Sequence, residues 1–198
     1  MTDPEALREL KEQYDEWAPT YDRDACRWGY CTPWKVEGRL TPHLKNGMNV
    51  VELACGTGLN GIRYQYLDLN LVGVDVSAKM LEKASKSCGY LAVQADMGRT
   101  PFKDSSFDAS LCTTALEHFP DIRPYLLEMK RIVKPNGIIA FTVAHSQIRG
   151  LNRVPRKELV QILADCKIKE IEILKIFSHF DQGEDSIYFW STIGNNTK

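Results

Sequence analysis

Two carboxylates at the ends of short apolar runs are the residues of this sequence best placed to do chemistry. Glu52 stands at the end of one run, just before a turn that contains Gly56 and Gly58, and Asp75 closes the next run. Glycines in such a turn allow the backbone to approach a ligand closely. An acid about twenty residues beyond the first glycine is placed to bind both ribose hydroxyls of an adenosine. The spacing therefore predicts a nucleoside site.

The glycine turn is open to two interpretations. With Gly61, its glycines satisfy Gly-x-Gly-x-x-Gly, the fingerprint of dinucleotide-binding proteins and hence of an NAD(P)-dependent oxidoreductase. Loops that cradle a pyrophosphate tend to avoid a carboxylate as close to the anion as Glu52. A carboxylate there suits a ligand with a cationic group, such as the amino end of methionine. The sequence also lacks a Tyr-x-x-x-Lys pair for hydride transfer, so the oxidoreductase is the less favoured interpretation.

Two histidines are candidates for a catalytic base. His118 follows Glu117 just past the fourth predicted strand, and His145 lies in the loop after the fifth. Each imidazole could take a proton from a reacting group, and Glu117 with His118 could touch a metal ion or a substrate. A hydrogen-bonded residue at a helix start is the competing interpretation of His118. The six cysteines show neither Cys-x-x-Cys spacing nor an accompanying histidine cluster, so no metal site is predicted.

Residues 1–46 are expected to form a helical lid. A helix with Asp3 as its N-cap continues at helical apolar spacing to about Trp17. The stretch 21–31 is rich in aromatic and charged residues and shows no clean period. A second helix begins at 32–33 and ends near 46–47.

From residue 47 the chain alternates between apolar, strand-like runs and helical patterns. The predicted strands are 49–53, 71–75, 91–94, 107–113, 138–143, 168–177 and 186–193. The predicted helices run from the glycine turn to about 66, from the cap Ser77, from the cap Asp121 to 136–137, and over 155–166. Such alternation implies a mainly parallel sheet covered on both faces, and the last two strands suit an antiparallel hairpin.

The predicted fold class is α/β, a Rossmann-like three-layer sandwich. Its mostly parallel seven-stranded sheet carries a C-terminal antiparallel hairpin and an N-terminal helical lid. We expect one domain over residues 1–198, in which 1–46 form the lid and 47–198 form the Rossmann-like core.

The bulk composition limits the classes of partner. The net charge is −1, from 25 basic and 26 acidic residues, so the composition lacks the excess of positive charge that favours nucleic-acid binding. No apolar run approaches a membrane-spanning length, and no basic segment leads into an apolar stretch at the N-terminus. We therefore expect a reduced, cytoplasmic protein with a small-molecule substrate and no nucleic-acid or membrane partner. The oligomeric state is not predicted.

Four segments resemble, in order, the motifs of class I S-adenosylmethionine-dependent methyltransferases. Glu52-x-Ala54-Cys55-Gly56-Thr57-Gly58 resembles the first motif, acid-x-Gly-x-Gly-x-Gly, with Ala54 in place of the first glycine. The second segment is Gly73-Val74-Asp75-Val76-Ser77 with Met80-Leu81. The third is Gln94-Ala95-Asp96-Met97 with the following stretch 101–108, and the fourth is 128–137. The ordered set extends from residue 52 to residue 137.

The resemblance implies how S-adenosylmethionine would be held. The implied contacts lie at the strand ends and in the turns that follow them. They are Glu52, Ala54, Cys55, Gly56, Thr57 and Gly58 for the methionine part, Asp75 for the ribose, Val76 and Met80 for the adenine ring, Asp96 and Met97 for its exocyclic amine, and Thr113 near the methionine part.

The N-terminal segment provides a second resemblance. Tyr14-Asp15-x-Trp17-Ala18-x-x-Tyr21-Asp22 is similar to the start of small methyltransferases related to the quinone-biosynthesis enzymes and to the methyltransferase-like proteins of the Williams–Beuren region. In that group the segment folds over the cofactor as a lid. The resemblance thus implies that Tyr14 and Tyr21 lie beside the cofactor, although both could instead belong to the core face of a helix.

The residues and the resemblance together predict a methyltransferase that acts on a small organic acceptor by direct in-line methyl transfer. Because the sulfonium already activates the methyl group, the protein mainly supplies proximity, alignment and exclusion of water. A base is needed only where the acceptor must lose a proton. One alternative is an S-adenosylmethionine-binding protein without turnover that acts through a partner, and the less favoured one is the NAD(P)-dependent oxidoreductase.

Overall fold

The computed structural model describes residues 3–145, 151–181 and 185–197 and has a seven-stranded sheet at its centre. The strands are β1 (Asn49–Leu53), β2 (Asn70–Asp75), β3 (Leu91–Gln94), β4 (Phe107–Cys112), β5 (Val133–Ala144), β6 (Ile168–Asp181) and β7 (Asp185–Asn196). They are ordered β3-β2-β1-β4-β5-β7-β6. β7 pairs antiparallel with β5 and β6, and the other pairs are parallel. The predicted sheet with its C-terminal hairpin is confirmed.

Six α-helices accompany the sheet in the described residues. They are α1 (Pro4–Trp17), α2 (Tyr21–Arg27), α3 (Thr32–Leu40), α4 (Ala78–Cys88), α5 (Arg123–Ile132) and α6 (Arg156–Asp165). Two predicted N-caps are confirmed, because the Asp3 side chain accepts from the Glu5 backbone N–H and Ser77 Oγ accepts from that of Met80. Only two residues separate the end of β2 from the start of α4, which brings the N-terminus of α4 to the strand ends.

Apolar side chains alternate along β1 and fill a core on each face of the sheet. Val51 belongs to a core that includes Leu126 of α5. Its neighbour Val50 belongs to a second core, which includes Val36 and Leu40 of α3. Successive residues of a strand point to opposite faces, so these two cores lie on opposite sides of the sheet. The result is the predicted three-layer sandwich, and it assigns α3 from the predicted lid to one of the outer layers.

The order of the strands determines where a ligand can bind. β1 pairs in parallel with β2 on one side and with β4 on the other, so the chain changes direction across the sheet at β1. Ligands of open α/β sheets bind at the carboxyl ends of the strands beside such a switch point. Glu52 and Asp75 occupy the ends of β1 and β2, and both therefore lie at this edge.

The segment after the glycine turn does not form the predicted helix to about residue 66. It forms a short 3₁₀ turn, Gly61–Tyr64. Gly61 packs so tightly that a Cβ there would lie 2.1 Å from the Tyr90 hydroxyl, and Gly58 further lowers the helix propensity. The dinucleotide fingerprint requires a helix that opens within the glycines, so this turn also disfavours the oxidoreductase.

Two predicted helix ends are wrong, and a proline explains each. α3 ends at Leu40, and Pro42 lies in the 3₁₀ turn that follows it. α5 ends at Ile132, shortly before Pro135, and β5 begins at the next residue. Proline lacks the helical N–H and restricts the residue before it, so a helix usually ends ahead of it. The structure also adds α2, which lies in the stretch 21–31 where the sequence shows no clean period.

Among the described residues, no helix combines the length and apolar character needed to cross a bilayer.

Candidate functional site

A cavity lies at the carboxyl ends of β1, β2 and β4 and is bounded on another side by α1. It has about 800 Å³ of empty space, part of it open to solvent, which is a usual size for a small-molecule site. Most of the predicted site residues line it. They are Tyr14, Tyr21, Glu52, Ala54, Cys55, Gly56, Thr57, Asp75, Val76, Asp96, Met97, Thr113 and His118.

The turn after β1 has an unusual backbone that opens space for a ligand. Ala54, Gly56 and Gly58 all have positive φ angles, of 53°, 53° and 86°. A Cβ placed on Gly56 would meet no heavy atom within 4 Å, so the space above this glycine is open. Ala54 adopts the left-handed region despite its side chain, which costs about 1–2 kcal/mol. Such strain is typical of a functional turn that its surroundings hold in place.

Asp75 is buried and already organises the turn. Its Oδ2 accepts from the Gly56 backbone N–H at 2.8 Å, and its Oδ1 accepts from the Ser77 backbone N–H at 2.8 Å. Burial raises the pKa of Asp75 above its usual value, and these backbone hydrogen bonds oppose the rise. Each oxygen keeps acceptor capacity, because a carboxylate oxygen can accept more than one hydrogen bond. Asp75 can therefore receive two hydroxyl groups of a ligand without losing its own partners.

Glu52 is also buried, and it is more fully engaged inside the protein. Its carboxylate accepts from Asn60 Nδ2 at 2.7 Å and from the Tyr90 hydroxyl through a short hydrogen bond. Burial raises its pKa to about 7, and the hydrogen bonds from Tyr90 and Asn60 act in the opposite direction. A positive charge nearby would favour the ionised form. Glu52 is thus an acid of the cavity wall that can face a positively charged group of a ligand.

Asn60 is a site residue that the sequence reasoning missed. Its Nδ2 donates to Glu52 and to Thr113 Oγ1, which fixes the orientation of the amide. Its Oδ1 is buried and has no hydrogen-bond partner among the described residues, although Asn60 lines the cavity. A buried acceptor without a partner is rare and calls for a donor. An ammonium group of a ligand would supply one, so the residues present fit a cofactor with a cationic amino end.

Two acids of the N-terminal segment anchor it to the edge of the cavity. Asp15 Oδ1 accepts from Ser77 Oγ at 2.6 Å and from the Lys79 backbone N–H at 3.1 Å, at the N-terminus of α4. Burial opposes ionisation of Asp15, but hydrogen bonds from Lys11, Ser77 and Lys79 outweigh it and lower its pKa to about 2. Asp22 accepts from Thr57 Oγ1 at 2.5 Å. These contacts give the acids of the Tyr-Asp pairs an anchoring role.

Three tyrosines from this segment line the cavity: Tyr14, Tyr21 and Tyr30. The Tyr14 hydroxyl lies 2.9 Å from His118 Nε2, and the Tyr30 hydroxyl lies 2.7 Å from Thr114 Oγ1. Burial raises the pKa of Tyr14 and lowers that of His118, so both are neutral near pH 7. In this state the Tyr14 hydroxyl donates when the imidazole carries its proton on Nδ1, and His118 Nε2–H donates in the other tautomer.

Glu117 is the least satisfied acid of the region. It is only 3% exposed and lies in the 3₁₀ turn Leu116–His118, immediately before His118. Its Oε2 has no hydrogen-bond partner among the described residues. Burial is the largest cause that raises its pKa to about 8, and a hydrogen bond from its own backbone N–H opposes the rise. A carboxyl group in this condition exchanges its proton easily near neutral pH.

Three predicted site residues are not part of the described cavity lining. Gly58 packs the turn on α4, where a Cβ would lie 2.0 Å from Cys88 Sγ. Met80 is fully buried, because it lies on the apolar face of α4. The His145 ring packs against the Trp190 ring at 4.6 Å between centroids, and the C-terminal hairpin therefore holds it. The structure brings His118 to the cavity and leaves His145 outside its described lining.

No group of three or more histidine, cysteine, aspartate or glutamate residues suited to a metal ion occurs in the part of the chain that the structure describes.

Residues 51–141 match the model of a methyltransferase domain. The demethylmenaquinone methyltransferase of Corynebacterium kroppenstedtii is 33% identical over 132 residues, which are 66% of this chain and 57% of that protein. The chain spans little more than half the length of the curated relatives it matches. The methyltransferase-domain match thus covers most of β1, all of β2, β3 and β4, most of β5 and the glycine turn after β1, and it ends before the C-terminal hairpin.

Two solved structures show how far the fold extends. The methyltransferase in a complex with the Trm112 methyltransferase activator of Haloferax volcanii has a TM-score of 0.78 at 18% identity, covering 93% of this chain and 98% of that one. The [4+2]-cyclase SpnF has a TM-score of 0.79 at 15% identity, with coverages of 96% and 97%. At such identities the likeness concerns the fold alone.

The sheet order and the crevice at the switch point define a Rossmann-like α/β protein with its ligand site at the strand ends. The match to the methyltransferase-domain model and the curated relatives indicate the family within this fold class. Together they support the class I S-adenosylmethionine-dependent methyltransferases as the family of this chain. The cofactor of this family is S-adenosylmethionine.

Proposed function

We propose that this chain binds S-adenosylmethionine in the described cavity and transfers its methyl group to a small organic acceptor. The observation that carries the proposal is the pair of buried carboxylates, Glu52 and Asp75, at neighbouring strand ends that face one cavity. Between them lies a glycine turn with open space above Gly56. This arrangement suits a ligand with a ribose at one end and a cationic amino group at the other.

Each part of the cofactor has residues suited to it. Asp75 would bind the ribose hydroxyls, and Asn60 Oδ1 with Glu52 would receive the amino group of the methionine part. The remaining proposed contacts lie around these residues. They are Tyr14, Tyr21, Ala54, Cys55, Gly56, Thr57 and Thr113 toward the methionine part, and Val76, Asp96 and Met97 toward the adenine. Gly58 would act by shaping the turn, and Met80 by packing α4.

The chemistry of the cofactor limits what the protein must add. When bound, the sulfonium supplies an activated methyl group for direct in-line displacement. The chain contributes alignment and exclusion of water. The N-terminal segment helps to exclude water, because Asp15 and Asp22 attach it to α4 and to the glycine turn. Residues 1–46 accordingly act, in this proposal, as part of one domain with residues 47–198.

Tyr14 and His118 provide a path for an acceptor proton. The Tyr14 hydroxyl lies 2.9 Å from His118 Nε2, and Tyr14 also lines the cavity. In the tautomer with its proton on Nδ1, His118 accepts from the Tyr14 hydroxyl. An acceptor N–H or O–H can pass its proton to Tyr14 Oη while Tyr14 passes its own proton to His118 Nε2. His118 therefore acts as the final base and Tyr14 as the group in contact with the acceptor. His145 has no part in this path.

Isothermal titration calorimetry tests the proposal against the oxidoreductase. We expect S-adenosylmethionine and S-adenosylhomocysteine to bind with a Kd in or below the micromolar range, and NADH and NADPH to show no saturable binding at the same concentrations. Binding of a nicotinamide cofactor in place of S-adenosylmethionine would contradict the proposal.

Turnover separates the enzyme from a cofactor-binding protein that acts through a partner. We expect radiolabelled methyl groups to pass from S-adenosylmethionine to metabolites below about 1 kDa in a cell extract. Label in no extract component, despite tight cofactor binding, would favour the binding protein. Label in protein or RNA would contradict the small acceptor. The cytoplasmic location and the lack of a nucleic-acid or membrane partner stay predictions.

A further inference from the structure

The cavity is acidic, and its described lining contains no lysine or arginine. Glu52, Asp75 and Asp96 line it, and Glu117 directly precedes the lining residue His118. S-adenosylmethionine carries a sulfonium, an ammonium and a carboxylate, so a single net positive charge accompanies it. The acids around the cavity can therefore compensate a further positive charge besides that of the cofactor.

Glu117 is the acid that the proposed cofactor contacts do not use. It follows β4 and directly precedes His118, whose Nε2 lies 2.9 Å from the Tyr14 hydroxyl, and its own side chain lies behind the described lining of the cavity. Its side chain is buried, and Oε2 has no hydrogen-bond partner among the described residues. Burying a carboxyl group without a partner costs free energy. A ligand with a positively charged hydrogen-bond donor would offset this free-energy cost, whereas an apolar or anionic ligand would not.

The tyrosines of the cavity lining add a second feature that favours a cation. Tyr14, Tyr21 and Tyr30 line the cavity, and the ring centroids of Tyr14 and Tyr21 lie 6.4 Å apart. The negative faces of aromatic rings attract ammonium groups. After burial, the charge of Glu117 contributes to the raised pKa of all three hydroxyls, which indicates that the acid and the rings share one environment.

We infer that the methyl acceptor is an amine that binds as its ammonium form, held by the charge of Glu117 and the rings of Tyr14, Tyr21 and Tyr30. Its nitrogen gains the lone pair for attack by passing one proton to Tyr14 Oη while Tyr14 passes its own to His118 Nε2, and the sulfur of the cofactor keeps the electron pair of the broken bond to the methyl group. This inference rests on the proposed methyl transfer and specifies its substrate class. A carboxylate or phosphate acceptor would meet acids without a compensating cation in the described lining, and like charges at close range cost free energy. A neutral alcohol or phenol would leave Glu117 without an ionic partner.

A set of ligands that differ only in charge tests the inference. Benzylamine, benzyl alcohol and benzoate share one skeleton and are cationic, neutral and anionic at pH 7.5. Each is titrated calorimetrically into the protein saturated with S-adenosylhomocysteine. We expect benzylamine to bind at least about tenfold more tightly than benzyl alcohol and benzoate, as cation–π and charge-assisted contacts predict.

Glu117→Gln removes the charge and keeps the shape. We expect this variant to lose most of the preference for benzylamine, about fivefold or more, while its Kd for S-adenosylhomocysteine stays within about twofold. Glu82→Gln is the matched control, because Glu82 is an exposed acid on α4 that does not line the cavity, and it should keep the full preference. A merely structural role of Glu117 would change all three ligands alike.

The outcomes separate the inference from the proposed function. If benzyl alcohol or benzoate binds the native chain as tightly as benzylamine or more tightly, the inference that the acceptor is an amine is wrong. This result needs no variant. A preference that survives Glu117→Gln would overturn the role of Glu117. If S-adenosylhomocysteine itself does not bind, the proposed function fails, and the same three ligands titrated into the protein alone still test the charge preference of the cavity.

Discussion

The two sides of the cavity differ in how completely their acids are hydrogen-bonded. On the cofactor side, defined by Glu52, Asn60 and Asp75, each carboxylate accepts two hydrogen bonds from the protein. On the acceptor side, defined by Tyr14, Glu117 and His118, the carboxyl group of Glu117 has one oxygen without a described partner. Hydrogen bonds within the protein therefore orient both acids of the first side, whereas Glu117 has an oxygen that a charged donor could still satisfy.

This difference assigns cofactor affinity to one side of the cavity and preference for the charge of the acceptor to the other. Preorganised carboxylates bind a ligand of known shape at low entropic cost. A poorly satisfied carboxyl group with a raised pKa responds instead to the charge of the ligand that meets it. Substitutions on the cofactor side should therefore change cofactor affinity, and substitutions on the acceptor side should change charge preference and pH dependence.

The largest expected effect is on the cofactor side. Asp75→Ala should weaken S-adenosylmethionine binding about 100-fold, because it removes the proposed ribose partner and leaves the Gly56 and Ser77 backbone N–H groups without their acceptor. Calorimetric titration measures the change. Asp104→Ala, at an exposed acid outside the lining, is the control and should bind normally. Unchanged affinity in Asp75→Ala would mean that the ribose binds elsewhere.

A smaller loss is expected at Asn60, also on the cofactor side. Asn60→Ala removes the buried Oδ1 acceptor and one hydrogen bond to Glu52, and we expect about tenfold weaker cofactor binding. Asn70→Ala, at an exposed asparagine of β2, should have no effect. If the two variants bind S-adenosylmethionine equally well, the amino group of the cofactor does not reach Asn60.

On the acceptor side, the expected effect is on stability. The pKa of Glu117 is about 8 in the folded chain and 4.5 for an unperturbed glutamate, so between these values only the folded state keeps the proton. The stability from this group is therefore complete below about pH 4.5 and is lost as the pH rises to about 8. Glu117→Gln should reduce the fall in Tm between pH 6 and pH 9 by about 3 °C or more.

Differential scanning calorimetry at the two pH values measures this change. Glu82→Gln should follow the native chain, since its exposed carboxyl group is ionised at both pH values. A fall in Tm that Glu117→Gln leaves unaltered would show that Glu117 is ionised in the folded state and that the contrast between the two sides is wrong.

The smallest effect is expected outside both sides. His145 packs on Trp190 and is not part of the described lining, so His145→Ala should change the Kd for S-adenosylmethionine by less than about twofold. Calorimetry of the variant beside the native chain measures this. A tenfold loss of affinity for S-adenosylmethionine would show that His145 contributes to the cofactor site and would contradict the structure of this region.

The contrast also explains what the sequence could predict. Glu52 and Asp75 are adjacent to glycine turns and strand ends, so local patterns are sufficient to place them together. The stretch that holds α2 has no amphipathic period, because α2 has only Ala25 fully buried. Asn60, Asp15 and Asp22 escape prediction, since each acts through a partner distant in sequence. The burial that distinguishes Glu117 from an ordinary surface acid is likewise a product of tertiary packing.

A crystal structure of the chain with S-adenosylhomocysteine would show where the nucleoside lies relative to the two carboxylates. We expect both ribose hydroxyls within hydrogen-bond distance of Asp75, the amino group beside Asn60 Oδ1, and Glu117 without contact to the nucleoside. A nucleoside outside this cavity, or one whose ribose faces Glu117 in place of Asp75, would contradict this expectation.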